Sequence, residues 1–427
     1  MYQVENAAEV YSAVDSARRT AGPTDRPWVN RTVLALGLTS LFTDVSAEMI
    51  TAVLPLYLVF GLHLSPLVFG AVDGLYTGAT APVRLLGGLV ADRTRRHKQV
   101  AVAGYGLSTV ARLGMVLVGH LWGALAGLVL VDRLGKGIRT SPRDAMISMA
   151  TPRAQWGAAF GVHRALDMAG AMTGPVLAFA VLAAAPGGYD AVFVVSLCAG
   201  LIGLGIVVVY APQADRPALG GDGPAVSLRA AVHLVRVPGL RTVLPAAVLL
   251  GLTTLGDGFL YLALQDRLGF EVGLFPLLYV ATSLVFMLLA VPVGRLADRV
   301  GRGRVFVGGY LALLAVYGVL LWPAGTASAV AALVFLGAHY AATDGVLMAL
   351  AGESVPDALR SSGMAVVTTA TSLARLASSL LFGLVWTVCG VQTALVVFTA
   401  GLAGALLVAT MLVDRRRPEV RGADVTG

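Results

Sequence analysis

The chain has 427 residues, of which 57% are hydrophobic and 13% charged. A soluble domain carries roughly a quarter charged residues, so the apolar excess must face lipid. The net charge of +7 lies in short loops between apolar runs, a pattern of membrane orientation and not of nucleic-acid binding.

Residues 1–31 mix Glu5, Glu9, Asp15, Arg18, Arg19, Asp25 and Arg26 with small residues. They lack the apolar core of a signal peptide and read as a cytoplasmic tail. A bilayer core takes about 20 apolar helical residues. Runs of that kind predict helices over 33–60, 67–91, 99–119, 122–147, 157–184, 190–211, 241–264, 273–297, 304–322, 327–350, 362–388 and 391–413. An outer-membrane barrel would show short alternating segments instead. The stretch 212–240 is rich in Pro, Gly and Arg. It reads as a cytoplasmic linker between a six-helix bundle at 32–211 and a second at 241–413, with a cytoplasmic tail at 414–427. Arginine and lysine concentrate after the second run (Arg93, Arg95, Arg96, Lys98), in the linker, after the eighth run (Arg299, Arg302, Arg304) and in the tail, whereas the opposite loops hold only Arg267. Both termini are therefore expected at the cytoplasmic face of a plasma (inner) membrane.

An ionisable side chain at mid-bilayer costs roughly 2.5–3.5 kcal/mol on insertion scales, so such groups face one another or a wet cavity. The first run carries Ser40, Thr43, Asp44, Glu48 and Thr51 as one stripe at helical spacing. The fourth carries Asp132, Lys136, Arg139 and Arg143 on one face, with Arg133, Thr140 and Asp144 beside it. The fifth adds His163, Arg164 and Asp167, the seventh Asp257 and Tyr261, the tenth Tyr340 and Asp344, and the eleventh Arg375. Asp44, Glu48, Asp132 and Asp167 are the acids suited to proton coupling. Arg133, Lys136, Arg139, His163, Arg164, Asp257, Tyr261, Tyr340, Asp344 and Arg375 are the groups suited to substrate binding. The positive excess of Arg133, Lys136 and Arg139 favours an anionic or strongly polar solute. Plainer readings stand beside these: Asp132–Lys136 and His163–Asp167 can pair within their own helices, and Arg143 and Arg164 can snorkel to the surface. No P-loop, nucleophile motif or metal-ligand spacing is present, so neither an enzyme nor a cofactor or metal site is expected.

Two segments recur. Leu-Gly-Leu-Thr-Ser-Leu at 36–41 returns as Leu-Gly-Leu-Thr-Thr-Leu at 250–255, and Gly88-Leu-Val-Ala-Asp92-Arg93 returns as Gly294-Arg-Leu-Ala-Asp298-Arg299, an internal repeat of the transporter kind. The second pair, with Gly301 and Arg302 after the later copy, resembles the loop signature of the major facilitator superfamily. Gly161, Gly170, Gly174 and Pro175 resemble that superfamily's antiporter signature, with Ala178-Phe179 where a glycine pair is usual. Asp132-Arg133-Leu-Gly-Lys136-Gly137 and the residues that follow resemble a prokaryotic branch of it. The resemblance covers roughly residues 33–413.

It implies an all-α membrane protein with the twelve-helix fold, two pseudo-symmetric six-helix bundles around a central cavity. It implies a conformational latch of Gly88, Asp92, Arg93, Gly294, Asp298 and Arg299. In that latch Asp92 would meet the helix start near Ser361–Gly363 and Asp298 the one near Trp156–Gly157, where a carboxylate is stabilised. The helix-five gate would be Gly161, Gly170, Gly174 and Pro175, packing closely and bending. The implied protein is a monomeric secondary carrier in the lipid bilayer, moving a small molecule by alternating access, proton-coupled and directed to export. An importer of a metabolite or metal chelate, and a receptor or scaffold of the same fold, are the alternatives.

Overall fold

The computed structural model describes residues 30–414 except 79, 81, 82, 84–89, 92, 93, 95, 120, 153, 154, 213–237, 323, 324 and 356–359. The latch residues Gly88, Asp92 and Arg93, both tails and most of the linker therefore lie outside the described residues. The rest forms helices joined by short turns. The first half holds α1 (Arg31–Leu56, continued by a π-helical segment Tyr57–Gly61), α2 (Pro66–Gly78), α3 (His97–Val118), α4 (Trp122–Ala150), α5 (Trp156–Ala184) and α6 (Tyr189–Tyr210). The second half holds α7 (Pro238–Leu252), α8 (Asp257–Leu268), α9 (Phe275–Val300), α10 (Arg302–Leu321), α11 (Thr326–Glu353), α12 (Arg360–Cys389) and α13 (Val391–Asp414).

The helices make twelve spans, because α7 and α8 are two pieces of the seventh. Ten segments among the described residues are long and apolar enough to cross a bilayer. The second is interrupted by residues that are not described, and α4 carries too many charges to qualify by composition. The expected run 241–264 is continuous in sequence but broken at 253–256 in the structure. Apart from the second, whose later part lies largely outside the described residues, the other expected spans agree to within a few residues.

Small residues set the packing inside each half. A Cβ on Gly170 of α5 would run into the Leu41 carbonyl of α1, and one on Gly174 would lie 2.7 Å from the Val45 carbonyl oxygen. Between α1 and α6, Ser46 Oγ donates to the Ser196 carbonyl (2.5 Å) and Ser196 Oγ to that of Ser46 (2.7 Å). These pairs satisfy hydroxyls that lipid could not. Gly301, at φ 107°, makes the one-residue turn between α9 and α10, a conformation glycine adopts freely.

An even number of spans puts the start of α1 and the end of α13 on one face, the termini face. The two halves are packed together toward the opposite, far face. There α2 lies along α12: a Cβ on Gly74 would stand 3.0 Å from the Leu376 carbonyl oxygen, and the Leu67 amide donates to Thr387 Oγ1 at 3.0 Å. Phe69 of α2, Phe259 of α8 and Phe382 of α12 stack edge to face across the same seam, at centroid distances of 4.7 and 4.9 Å.

Candidate functional site

Two polar groups lie at membrane depth, one inside the first half and one between the halves. Within the first half, α3 and α4 approach through Gly104 and Gly135, each of which would place a Cβ within 2.8 Å of the other helix's backbone. This contact buries Asp132 of α4 against Arg112 of α3, Nη2 to Oδ1 at 3.2 Å. Arg133 reaches the other oxygen of Asp132 at 2.5 Å through Nη2 and 3.0 Å through Nε. The Arg133 guanidinium also lies over the Tyr76 ring, 3.8 Å from its centre, a cation–π contact.

Further along α4, Lys136 and Arg139 approach Asp44 of α1 at 3.9 and 3.7 Å. Arg139 donates to Thr43 Oγ1 at 2.8 Å. The Asp44 and Asp167 carboxyl groups lie close to each other between α1 and α5. Asp167 also takes Arg164 at 3.1 Å and Arg143 at 4.0 Å. Arg143 binds Asp144 at 2.9 Å and donates to Ser40 Oγ, which lies 3.0 Å from His163 Nε2. Glu48 faces α5 at Gly174, where an added Cβ would meet its own at 2.9 Å. Asp132 thus turns to Arg112 and Arg133 instead of Lys136, and His163 to Ser40 instead of Asp167. Lys136 keeps 33% of its side chain exposed, whereas Arg139 keeps 3%.

Between the halves are two adjoining cavities of about 190 and 260 Å³, both bounded by Asp257, Tyr279 and Tyr340. The first is closed by Asp73 and Tyr76 from α2 and by Arg375 and Ser379 from α12. The second reaches Met168 of α5, Tyr261 and Asp344. Asp257 opens α8 at the break in the seventh span and accepts the Tyr340 hydroxyl. Tyr261 donates to Thr282 Oγ1 at 2.7 Å. Asp73 crosses the seam: its Oδ2 accepts Ser379 Oγ at 2.7 Å, and its carboxylate occupies the place a Cβ on Gly256 would take. Asp344 is exposed although it stands nine residues before the end of α11, about 14 Å at 1.5 Å per residue. A carboxylate at that depth faces water between the halves and not lipid.

Of the expected binding residues, Asp257, Tyr261, Tyr340, Asp344 and Arg375 line these cavities. Arg133, Lys136, Arg139, His163 and Arg164 do not, and belong to the polar chain of the first half. Sequence reasoning left Asp73 and Ser379 without a role in the site and missed Tyr76 and Tyr279. Asp73, Tyr76 and Thr77 fall at helical i, i+3, i+4 spacing and were findable as a polar stripe. Tyr279 in an apolar run gives no such signal.

At the termini face, Asp298 is held within the second half by Arg302 at 3.0 Å, which also binds Glu353 at 2.5 Å. The start of α5 is occupied otherwise: Trp156 Nε1 donates to the Ser148 and Thr151 carbonyls, and a Cβ on Gly157 would meet nothing within 4 Å. Asp298 and that helix start are not joined in this conformation. Gly294 and Gly161 likewise have nothing within 4 Å of an added Cβ, while Gly170 and Gly174 are packed. No group of His, Cys, Asp or Glu among the described residues has the arrangement to hold a metal ion.

The family model of the Major Facilitator Superfamily matches residues 36–379 and 258–424. An uncharacterised MFS-type transporter of Methanocaldococcus jannaschii is 27% identical over 368 residues, 84% of this chain and 89% of that one. A protein of Mycobacterium tuberculosis is 34% identical over 199 residues, 46% of this chain and 47% of that one. Among solved structures, the nucleoside transporter NupG superposes with a TM-score of 0.71 at 15% identity, over 90% of this chain and 99% of that one. A POT family transporter in complex with 5-aminolevulinic acid gives 0.74 at 13% identity, over 92% and 96%. At these identities the superpositions speak for the fold alone.

Proposed function

Because the chain belongs to the Major Facilitator Superfamily, we propose that it is a proton-coupled secondary carrier, exporting a small polar solute as a monomer by alternating access. The observation that carries this reading is the cavity pair, lined from both halves and roofed by the α2–α12 seam. Rocking the halves about such a site would expose it to one face and then the other. The arginine-rich termini face is taken as cytoplasmic. Asp298 and Arg299, with their counterparts Asp92 and Arg93, would close that face in the opposite conformation, when the α5 and α12 starts come within reach.

Proton coupling is assigned to Asp44 and Asp167. Two neighbouring carboxylates repel when both are charged, so one of this pair would carry a proton between α1 and α5. Lys136, Arg139, Arg143 and Arg164 surround the pair, and Glu48 lies one turn along α1. Motion between α1 and α5 would part the two acids and free the proton.

The test uses everted membrane vesicles carrying the protein, with compounds drawn from a metabolite and drug panel by thermal stabilisation. A transported compound is expected to discharge part of an established proton gradient, read by acridine orange. Asp44→Asn and Asp167→Asn are expected to remove that response and to spare exchange of compound for compound. Loss of exchange together with driven flux would place both acids in binding or folding. Gradient-driven uptake confined to right-side-out vesicles would reverse the direction.

A further inference from the structure

We propose that the cavity between the halves selects a small organic cation with an apolar body. The proposal rests on the transport reading for its setting and adds the chemical class of the solute. The cations that favoured an anion in the sequence are matched by acids inside the first half. Arg112 and Arg133 bind Asp132, Lys136 and Arg139 approach Asp44, and Arg143 binds Asp144. None of these five cations lines either cavity.

The walls of the cavities themselves have the opposite balance. Among the described residues they carry three carboxyl groups, Asp73, Asp257 and Asp344, against one cation, Arg375. None of the three acids forms an ion pair with a described cation within 4 Å. The hydrogen-bond donors that Asp73 and Asp257 do have are neutral hydroxyls, Ser379 Oγ and Tyr340 Oη. Both acids line the first cavity. Arg375 lies in the field of both Asp344 and Asp257, so its single charge is set against two of the three acids.

The remaining walls suit the body of an organic cation. Tyr279 and Tyr340 border both cavities, and aromatic faces attract a desolvated ammonium or guanidinium. Met168 closes the side toward α5 with an adaptable apolar surface. Asp73 belongs to the first half and Asp257 to the second. A cation between them would draw the halves together at the seam, linking occupancy to closure of the far face.

Three probes of one shape and different charge test this on purified protein in detergent: tyramine, 4-ethylphenol and 4-hydroxyphenylacetate. Tyramine is expected to raise the unfolding temperature in a concentration-dependent way, with the neutral and anionic probes giving little or no shift. Asp257→Asn is expected to raise the tyramine dissociation constant about tenfold or more, and Asp73→Asn, from the other half, to do the same. Asp190→Asn, on α6 away from the seam, is the control expected to leave it unchanged. The comparison of probes on the wild-type protein needs no variant, so a variant that fails to fold does not spoil it. Preference for 4-hydroxyphenylacetate, equal response to all three, or no binding of tyramine would overturn the proposal. Binding is read without membrane or gradient, so its outcome is separate from that of the vesicle experiment.

Discussion

Asp132 holds two arginines at membrane depth, and its main role is expected to be structural. Arg112 is 1% exposed and Arg133 4%. The Nε and Nη1 of Arg112 have no hydrogen-bond partner among the described residues, so the carboxylate is what makes its burial tolerable. Asp132→Asn leaves two buried guanidinium groups without a counter-ion, a loss of about 3–5 kcal/mol for a buried pair broken on one side. Asp44→Asn is expected to cost less, because Lys136 is partly exposed and Asp167 remains as an acid beside it. Thermal unfolding of the two variants in detergent checks the order. An Asp132→Asn protein that melts like the wild type yet loses proton coupling would return Asp132 to the coupling group. Most ionisable residues of the two polar groups were legible in the sequence, Asp73 being an exception, but their partners were not. Spacing along one helix can propose Asp132 with Lys136; it cannot see that Gly104 and Gly135 bring Arg112 closer from another helix.

At the scale of elements, the glycines of α5 separate into two kinds. Gly170 lies against the backbone of α1, and a methyl group there collides with the Leu41 carbonyl; Gly161 faces open space. Gly170→Ala is expected to destabilise the protein by about 1–3 kcal/mol, the usual cost of overpacking. Gly161→Ala is expected to be neutral or to stabilise by about 0.5–1 kcal/mol through helix propensity. Unfolding temperatures distinguish them, and equal effects would mean that α1 and α5 are not in close contact at Gly170. The sequence shows both glycines as one motif because identity carries no information about what lies opposite. The same limit hid the break in the seventh span. Thr253, Thr254 and Leu255 continue a run of suitable length, and hydropathy registers no interruption when the backbone turns away from helix. Depth along the membrane was also hidden. Leu36 is the sixth residue of α1, but Leu250, its match in the repeat, is the thirteenth of α7.

For the whole molecule, fold class follows from composition, span count and the paired loop signatures, since a chain this apolar with short basic loops has few ways to satisfy its backbone in lipid. The position of the cavity does not follow, because it depends on which faces of two bundles meet. In this conformation they meet at the far face, and a carrier that alternates must part them there. The Leu67 amide and the Thr387 hydroxyl, 3.0 Å apart across the α2–α12 seam, mark a place where paired cysteines come within disulfide reach. Leu67→Cys with Thr387→Cys, in a background with Cys198 and Cys389 replaced by serine, is expected to cross-link on mild oxidation. The oxidised carrier is expected to lose net transport and the reduced one to recover it. The native cysteines must be removed first because both are exposed and would react. A cross-linked protein that still transports at the unlinked rate would show that the far face need not open at α2 and α12, and alternating access about this seam would have to be abandoned.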